Sequence, residues 1–212
     1  MANRIDPKCK QCRRAGEKLF LKGERCFSPK CAVAKRPYAP GAKGSGKNTR
    51  RGGLSEFGRQ LMQKQKVKKI YGVFEKQLKK YFKEAQAQKG DARENLIRKF
   101  EMRLDNVMFR LGWAKSRAAA RQLVNHGHVA INGKRVSIPS YQVRKGESIS
   151  LTEKTMKSKL TENLLASLKK YEAPTWLAQE QNKLEAKVLA APTADELGDV
   201  SSIGLIVEYY SR

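Results

Sequence analysis

The sequence predicts an α+β protein in three parts: a four-cysteine N-terminal knuckle with a basic arm, a helical domain, and a compact module of short helices plus a small antiparallel sheet. Three observations carry this reading. All four cysteines fall within the first 31 of the 212 residues. Apolar residues then recur at helical steps of three and four, and from His128 onward the period changes to two. Gly, Pro, Asn and Asp cluster where those patterns break. The expected boundaries are 1–45 for knuckle and arm, 46–91 for the helical domain, completed by 166–212, and 92–165 for the compact module.

The cysteines read Cys9-x2-Cys12-x13-Cys26-x4-Cys31. Two closely spaced pairs separated by a loop suit tetrahedral Zn2+, since each pair spans one edge of the tetrahedron. Lys8, Lys10, Arg13, Arg14 and Lys30 favour the thiolate form by raising the local positive potential. Disulfides, or an iron–sulfur cluster on the same four thiolates, are the competing readings. A reducing cytosol disfavours the disulfides, and the N-terminus MANRIDPKCKQC has no apolar core that would direct export. Four thiolates complete a zinc shell, so the expected metal is structural, not catalytic.

Residues 34–53, AKRPYAPGAKGSGKNTRRGG, offer little to bury and read as a basic linker or extended arm. Gly41, Gly46 and Lys47 match the spacing of a phosphate-cradling P-loop. That loop needs a buried strand before it, a helix after it and a hydroxyl on the final residue. Here two prolines precede it, TRRGG follows, and Asn48 holds the last position. Nucleotide binding is therefore rejected.

From Leu54 to Ala87 the pattern is helical, with Gly72 marking a join between two helices. Phe74, Leu78, Tyr81, Phe82 and Ala85 form one apolar stripe, leaving Lys76, Lys79, Lys80 and Lys83 to other faces. QKGD breaks the run, and Asp91 is placed to cap the next helix, whose stripe of Leu96, Phe100, Leu104, Val107 and Leu111 ends at Gly112. Ser116 caps a short helix with Ala120, Leu123 and Val124 inward, closing at Gly127. In HVAINGKRVSI, Val129 and Ile131 alternate before Asn132-Gly133, and Val136 and Ile138 after it, the signature of a type I′ hairpin. VRKGESISL repeats the scheme around Lys145-Gly146. Residues 153–196 read as helix with a break at Pro174, and GLIVEYYSR as a final extended or docking segment.

Charge restricts the partner. Lys and Arg number 45 against 20 Asp and Glu, a net +25. Self-repulsion of that size calls for a polyanion. No apolar run approaches the roughly 20 residues that span a bilayer, so no membrane partner is expected; with the P-loop reading rejected no small-molecule substrate is expected either, and nucleic acid is the expected polyanion.

Residues 103–151, RLDNVMFRLGWAKSRAAARQLVNHGHVAINGKRVSIPSYQVRKGESISL, resemble the RNA-binding module of the S-four family. The knuckle with KLFLKGERC, the arm RPYAPG, the segment IYGVFEKQLKKYF and the terminus LIVEYYSR extend the likeness nearly end to end. Together they resemble the bacterial small-subunit ribosomal protein S-four family in its zinc-containing form, most weakly over 175–202.

The resemblance implies a structural ribosomal component that binds the 5′ domain of 16S rRNA and helps to nucleate assembly of the 30S body. It also implies a position at the mRNA entry channel beside the S-three and S-five proteins, and a share in decoding accuracy with S-five. Expected rRNA-binding residues are Arg13, Arg14, Lys43, Lys47, Arg50 and Arg51 in the arm, and Lys115, Arg117, Arg121, Gln122, His126 and Arg135 in the module. The short helix would offer its N-terminal dipole to phosphate, and the hairpin would widen the basic surface. His128 is expected either to touch RNA or to serve as a structural imidazole.

Other chemistries fit less well. RLD at 103–105 echoes the catalytic Asp context of pseudouridine synthases, but Met102 replaces the Gly and no further catalytic domain follows. No large nucleotide-binding α/β domain is visible for a synthetase. A zinc-dependent DNA regulator would leave the end-to-end likeness unexplained. No catalytic residue is expected.

Overall fold

The computed structural model describes residues 7–41, 55–158, 161, 164–165, 168, 171–180, 184–193 and 201–211. The chain divides into two compact units: 1–79 with 201–212, and 80–200.

In the first unit, α1 (Lys8–Ala15) carries Cys9 and Cys12, α2 (Glu24–Phe27) carries Cys26, and Cys31 is the N-cap residue of α3 (Ala32–Lys35). α4 (Glu56–Tyr71) starts at Ser55, whose hydroxyl accepts from the Gly58 N–H, and closes at Gly72 in the left-handed region. Gly72 is thus the join predicted for it, and α5 (Glu75–Ala87) follows, its residues from Lys80 onward belonging to the second unit. Phe74 departs from its predicted stripe: it precedes α5 and is 46% exposed, whereas Leu78, Tyr81, Phe82 and Ala85 are buried.

Of the terminus expected to be extended or docking, residues 204–211 are the tail of a helix, α10 (Ser201–Ser211), that docks on α4 and is not extended. Its β-branched and aromatic residues favour a strand locally, but packing against α4 overrides that preference. Gln60 donates to Glu208 Oε2 at 3.1 Å, and the Phe57 and Tyr209 rings lie 5.6 Å apart. Lys64 Nζ sits 4.2 Å from the centre of the Tyr209 ring and pairs with Glu75 at 2.9 Å. Lys68 and the Tyr210 hydroxyl also reach Glu75, at 2.8 and 2.6 Å. These donors outweigh the cost of burial and hold the Glu75 carboxyl down at about 2.

In the second unit, Asp91 caps α6 (Ala92–Glu101) through the Arg93 N–H. The single helix expected from Asp91 to Gly112 is in fact two, because α7 (Leu104–Arg110) begins after a break at Met102 and Arg103. The break has a tertiary cause. The N–H groups of Leu104 and Asp105 donate to the carbonyls of Tyr141 and Pro139 at 2.9 and 3.1 Å, and Val143 N–H donates to Met102 at 2.8 Å. Arg103 is thereby drawn into an extended bridge with Gln142. α8 (Arg117–Asn125) is capped by the Ser116 hydroxyl on the Ala119 N–H.

β1 (Val129–Ile131) and β2 (Lys134–Arg135) form the hairpin, with Asn132 and Gly133 at φ 49° and 77°. β2 is shorter than its sequence pattern, and Ile138 lies 58% exposed outside it. Lys145-Gly146 is a turn, but Val143 before it packs in the core without forming a strand, leaving β3 (Ser148–Leu151) to pair with β1. A short helix, α9 (Glu153–Met156), follows.

The tail again differs from the helical expectation. Residues 177–180 and 185–188 form β4 (Leu177–Glu180) and β5 (Glu185–Val188). The antiparallel sheet then runs β2-β1-β3-β5-β4. LAQE and EAKV are made of good helix formers; pairing of Ile149 with Ala186 along the open edge of β3 makes them strands instead. Trp113, Met108, Leu111, Ile149 and Leu184 form the centre of the core between this sheet, α7 and α8.

Candidate nucleic-acid interface

Arg117 and Arg121 stand one turn apart on α8 and so project from the same side of the helix. Each is seated by a neighbouring side chain on α7. Arg121 Nε donates to Asp105 Oδ2 at 2.8 Å. Asp105, 2% exposed, also receives Arg103, whose Nε and Nη2 donate at 3.0 and 2.9 Å. Arg103 Nη1 in turn donates to the Tyr81 hydroxyl at 2.7 Å. Burial opposes the Arg103 charge, but Asp105 and Tyr81 outweigh it and hold the guanidinium more firmly protonated.

Arg117 is held in a parallel way. Its Nε donates to Asn106 Oδ1 at 2.7 Å, and its guanidinium lies 4.5 Å over the Phe109 ring. Asn106 Nδ2 donates to buried Glu101 at 2.8 Å, and Glu101 accepts a bidentate pair from Arg110 at 2.8 and 2.9 Å. Two buried carboxylates therefore orient four guanidiniums, which lowers the entropy lost when the outer ones grip an anion.

The hairpin adds a further cation. Arg135 lies across Gly127, where φ is +71° and an added Cβ would collide with the Arg135 guanidinium. Its Nη2 donates to the His126 carbonyl at 3.2 Å. Lys115 and Gln122 are exposed, as is His126, whose ring lies 6.0 Å from that of His128. His128 Nδ1 is hydrogen-bonded to Thr155 Oγ1 at 2.8 Å. The six residues expected in the module thus all belong to α8, its flanks and the adjoining hairpin.

The arm residues fare differently. Arg13 anchors the following segment: Nε donates to the Tyr38 carbonyl at 3.0 Å and the guanidinium sits 4.9 Å over the Tyr38 ring. Arg14 is exposed on α1. Lys43, Lys47, Arg50, Arg51 and the whole P-loop-like stretch after Gly41 lie outside the described residues.

Sequence reasoning missed the seats themselves: Glu101, Asp105, Asn106 and Tyr81. Their signal was an Asp-Asn pair inside the apolar run Leu104 to Val107, where uncompensated polar groups are costly. Asp105 is bound by two guanidiniums in a buried site, the arrangement of a structural carboxylate.

The four cysteines line a single cavity in the first unit, with Lys8 and Lys22 beside them. None of the four is joined in a disulfide. Lys22 N–H points at Cys26 Sγ at 3.4 Å. Burial and the other three sulfurs push the Cys12 thiol up. At Cys31 a burial cost is overcome by the N–H groups of Ala34 and Val33, with Lys18 and Arg25 assisting, and the thiol is lowered. Among the described residues no set of three or more His, Cys, Asp or Glu is arranged to hold a metal as it stands. The donor set fits a thiophilic ion nonetheless: four sulfurs share one cavity, and backbone N–H groups aim at three of them, Cys12, Cys26 and Cys31.

Comparison with known proteins supplies the remaining observation. Residues 3–101 match the model of the ribosomal protein S4/S9 N-terminal domain, and residues 102–149 match the S4 domain. The chain is 46% identical to small ribosomal subunit protein uS4 of Desulforamulus reducens, 49% to uS4A of Alkaliphilus metalliredigens and 48% to uS4 of Caldicellulosiruptor saccharolyticus. Each alignment spans 212 residues, the full length of both chains. The chain belongs to the uS4 family of small-subunit ribosomal proteins. That family is structural, not enzymatic. The seated arginines, the hairpin and the sheet all lie in the second unit, and the S4-domain match begins at Met102, where α6 gives way to α7.

Proposed function

We propose that this uS4-family protein, in the cytoplasmic ribosome, binds the 5′ domain of 16S rRNA directly and helps to nucleate assembly of the 30S body. The observation that carries the reading is the pair Arg117 and Arg121, seated by α7 and continued by Arg135 on the hairpin. Such a rigid basic face suits phosphates and 2′-hydroxyls of folded RNA, because the A-form major groove is too deep and narrow for side chains to read. The N-terminus of α8 beside Lys115 adds partial positive charge. Lys115, Gln122, His126 and Arg14 complete the proposed contacts, with Lys43, Lys47, Arg50 and Arg51 in the arm. Arg13 contributes by holding the start of that arm.

By its family resemblance the protein also borders the mRNA entry channel, adjoins the S-three and S-five proteins, and supports decoding accuracy with S-five. Structural Zn2+ on Cys9, Cys12, Cys26 and Cys31 would cross-link α1, α2 and α3. The shared cavity and the N–H groups directed at sulfur support that assignment.

Binding of the full chain to a folded 5′-domain rRNA junction and to duplex DNA, at equal salt, tests the main proposal. Tighter binding to the rRNA is expected, with affinity falling steeply as salt rises, by roughly 0.7 to 0.9 log units per log unit of salt for each phosphate neutralised. Tighter binding to DNA would refute it.

A further inference from the structure

Phe20 and Phe27 meet on the surface of the cysteine knuckle. Their ring centroids are 5.0 Å apart at an interplanar angle of 31°, yet the residues are 44% and 75% exposed. A core pair would be covered, and a pair present only to stabilise the knuckle would not leave its outer member three-quarters in water. Phe20 also has φ 50°, the left-handed region that bulky side chains rarely adopt. That local strain accompanies a ring placed outward while Leu19 beside it is buried. Exposed cations flank both rings in the chain: Lys18 and Lys22 around Phe20, Arg25 and Lys30 around Phe27.

An exposed aromatic surface interleaved with basic residues is the composition that receives single-stranded nucleotides, with the cations holding phosphate and the rings stacking on a base. We propose that Phe20 and Phe27 form a stacking platform for one unpaired nucleobase of the RNA. This subsite rests on the rRNA-binding reading and lies in the first unit, whereas the seated arginines lie in the second. Charge complementarity decides the occupant: the chain carries a net +25, and the four exposed cations that flank Phe20 and Phe27 in the chain favour a polyanion over an apolar protein surface.

The test uses the full chain and a folded 5′-domain rRNA junction. Phe27→Ala is expected to weaken binding by about tenfold, the typical loss of one base–aromatic stack. The slope of affinity against salt should stay unchanged, because no phosphate contact is removed. Phe27→Trp should bind within about twofold of wild type, since it keeps a flat π face. Chemical probing should show one unpaired base protected by wild type and exposed in the F27A complex. An F27A chain that binds the junction like wild type, or that protects the same bases, overturns the platform. So does an F27A chain with normal RNA affinity but poor recovery in assembled subunits, which would assign the patch to a protein. If wild type itself fails to bind the junction, the rRNA reading falls and the platform with it; an unaffected F27A chain alongside a binding wild type removes the platform alone.

Discussion

Arg121 closes on Asp105 from the next helix, Nε to Oδ2 at 2.8 Å, and so joins a surface cation to a carboxylate that Arg103 already holds from within. Removing the carboxylate strands a buried guanidinium, which costs about 3 to 5 kcal/mol in comparable sites. Asp105→Asn is therefore expected to lower unfolding free energy by about that amount in urea titration. A loss under about 1 kcal/mol would show that Arg103 finds another partner.

The outer arginines should behave as phosphate ligands. Arg117→Gln and Arg121→Gln are each expected to weaken rRNA binding and to reduce the salt slope by about one contact. Arg13→Gln should leave the slope unchanged, since that guanidinium is occupied by the Tyr38 and Ala39 carbonyls. Equal slopes for all three variants and wild type would remove the seated pair from the interface.

Gly127 is held glycine both by its backbone and by the side chain across it. Gly127→Ala places a methyl where Arg135 now lies, at φ +71°. The Arg135 side chain can swing away, but the backbone strain remains, at about 1 to 2 kcal/mol. The expected result is a modest drop in Tm together with weaker rRNA binding. Gly133→Ala, with φ +77° and open space around its Cβ, should match the stability loss without the binding loss.

Glu75 makes the first unit acid-sensitive. Its carboxyl is held at about 2 in the folded chain, against an ordinary 4.5. A depressed folded-state value gives stability that is present above the unfolded value and lost as pH falls through the folded one. Destabilisation is therefore expected between pH 4.5 and about 2, with α10 losing hydrogen-exchange protection first. Solvent reaches a third of the side chain and screens the effect, so the change should be modest. In Glu75→Gln that segment of the Tm-versus-pH curve should be flatter than in wild type.

The knuckle should carry metal. Native mass spectrometry of the purified chain is expected to show one zinc ion, and Cys12→Ser or Cys31→Ser should abolish it. A visible charge-transfer spectrum with bound iron would assign the cluster instead. A fully folded chain without metal would refute both.

Caps, breaks and turns were legible in the sequence because they depend on a few adjacent residues. Asp91 and Ser116 cap the helices they precede, Gly72 closes α4, and Asn132-Gly133 forms the hairpin turn, each through the backbone preference of one or two side chains. The cysteine spacing and the net +25 were equally local or compositional facts. Most of the module's basic residues could be named because they cluster around one short helix.

Tertiary structure alone decided what depends on distant partners. The helix expected from Asp91 to Gly112 appeared continuous through Met102 and Arg103, but hydrogen bonds to the backbone of 139–143 break it there. LAQE and EAKV became strands only because β3 had an open edge, and GLIVEYYSR became helical only against α4. Asp105 looked like part of a possible catalytic motif, yet its meaning came from Arg103 and Arg121. Local propensity differs by tenths of a kcal/mol per residue, whereas leaving a buried charge or a strand edge unpaired costs more, so packing prevails wherever the two disagree.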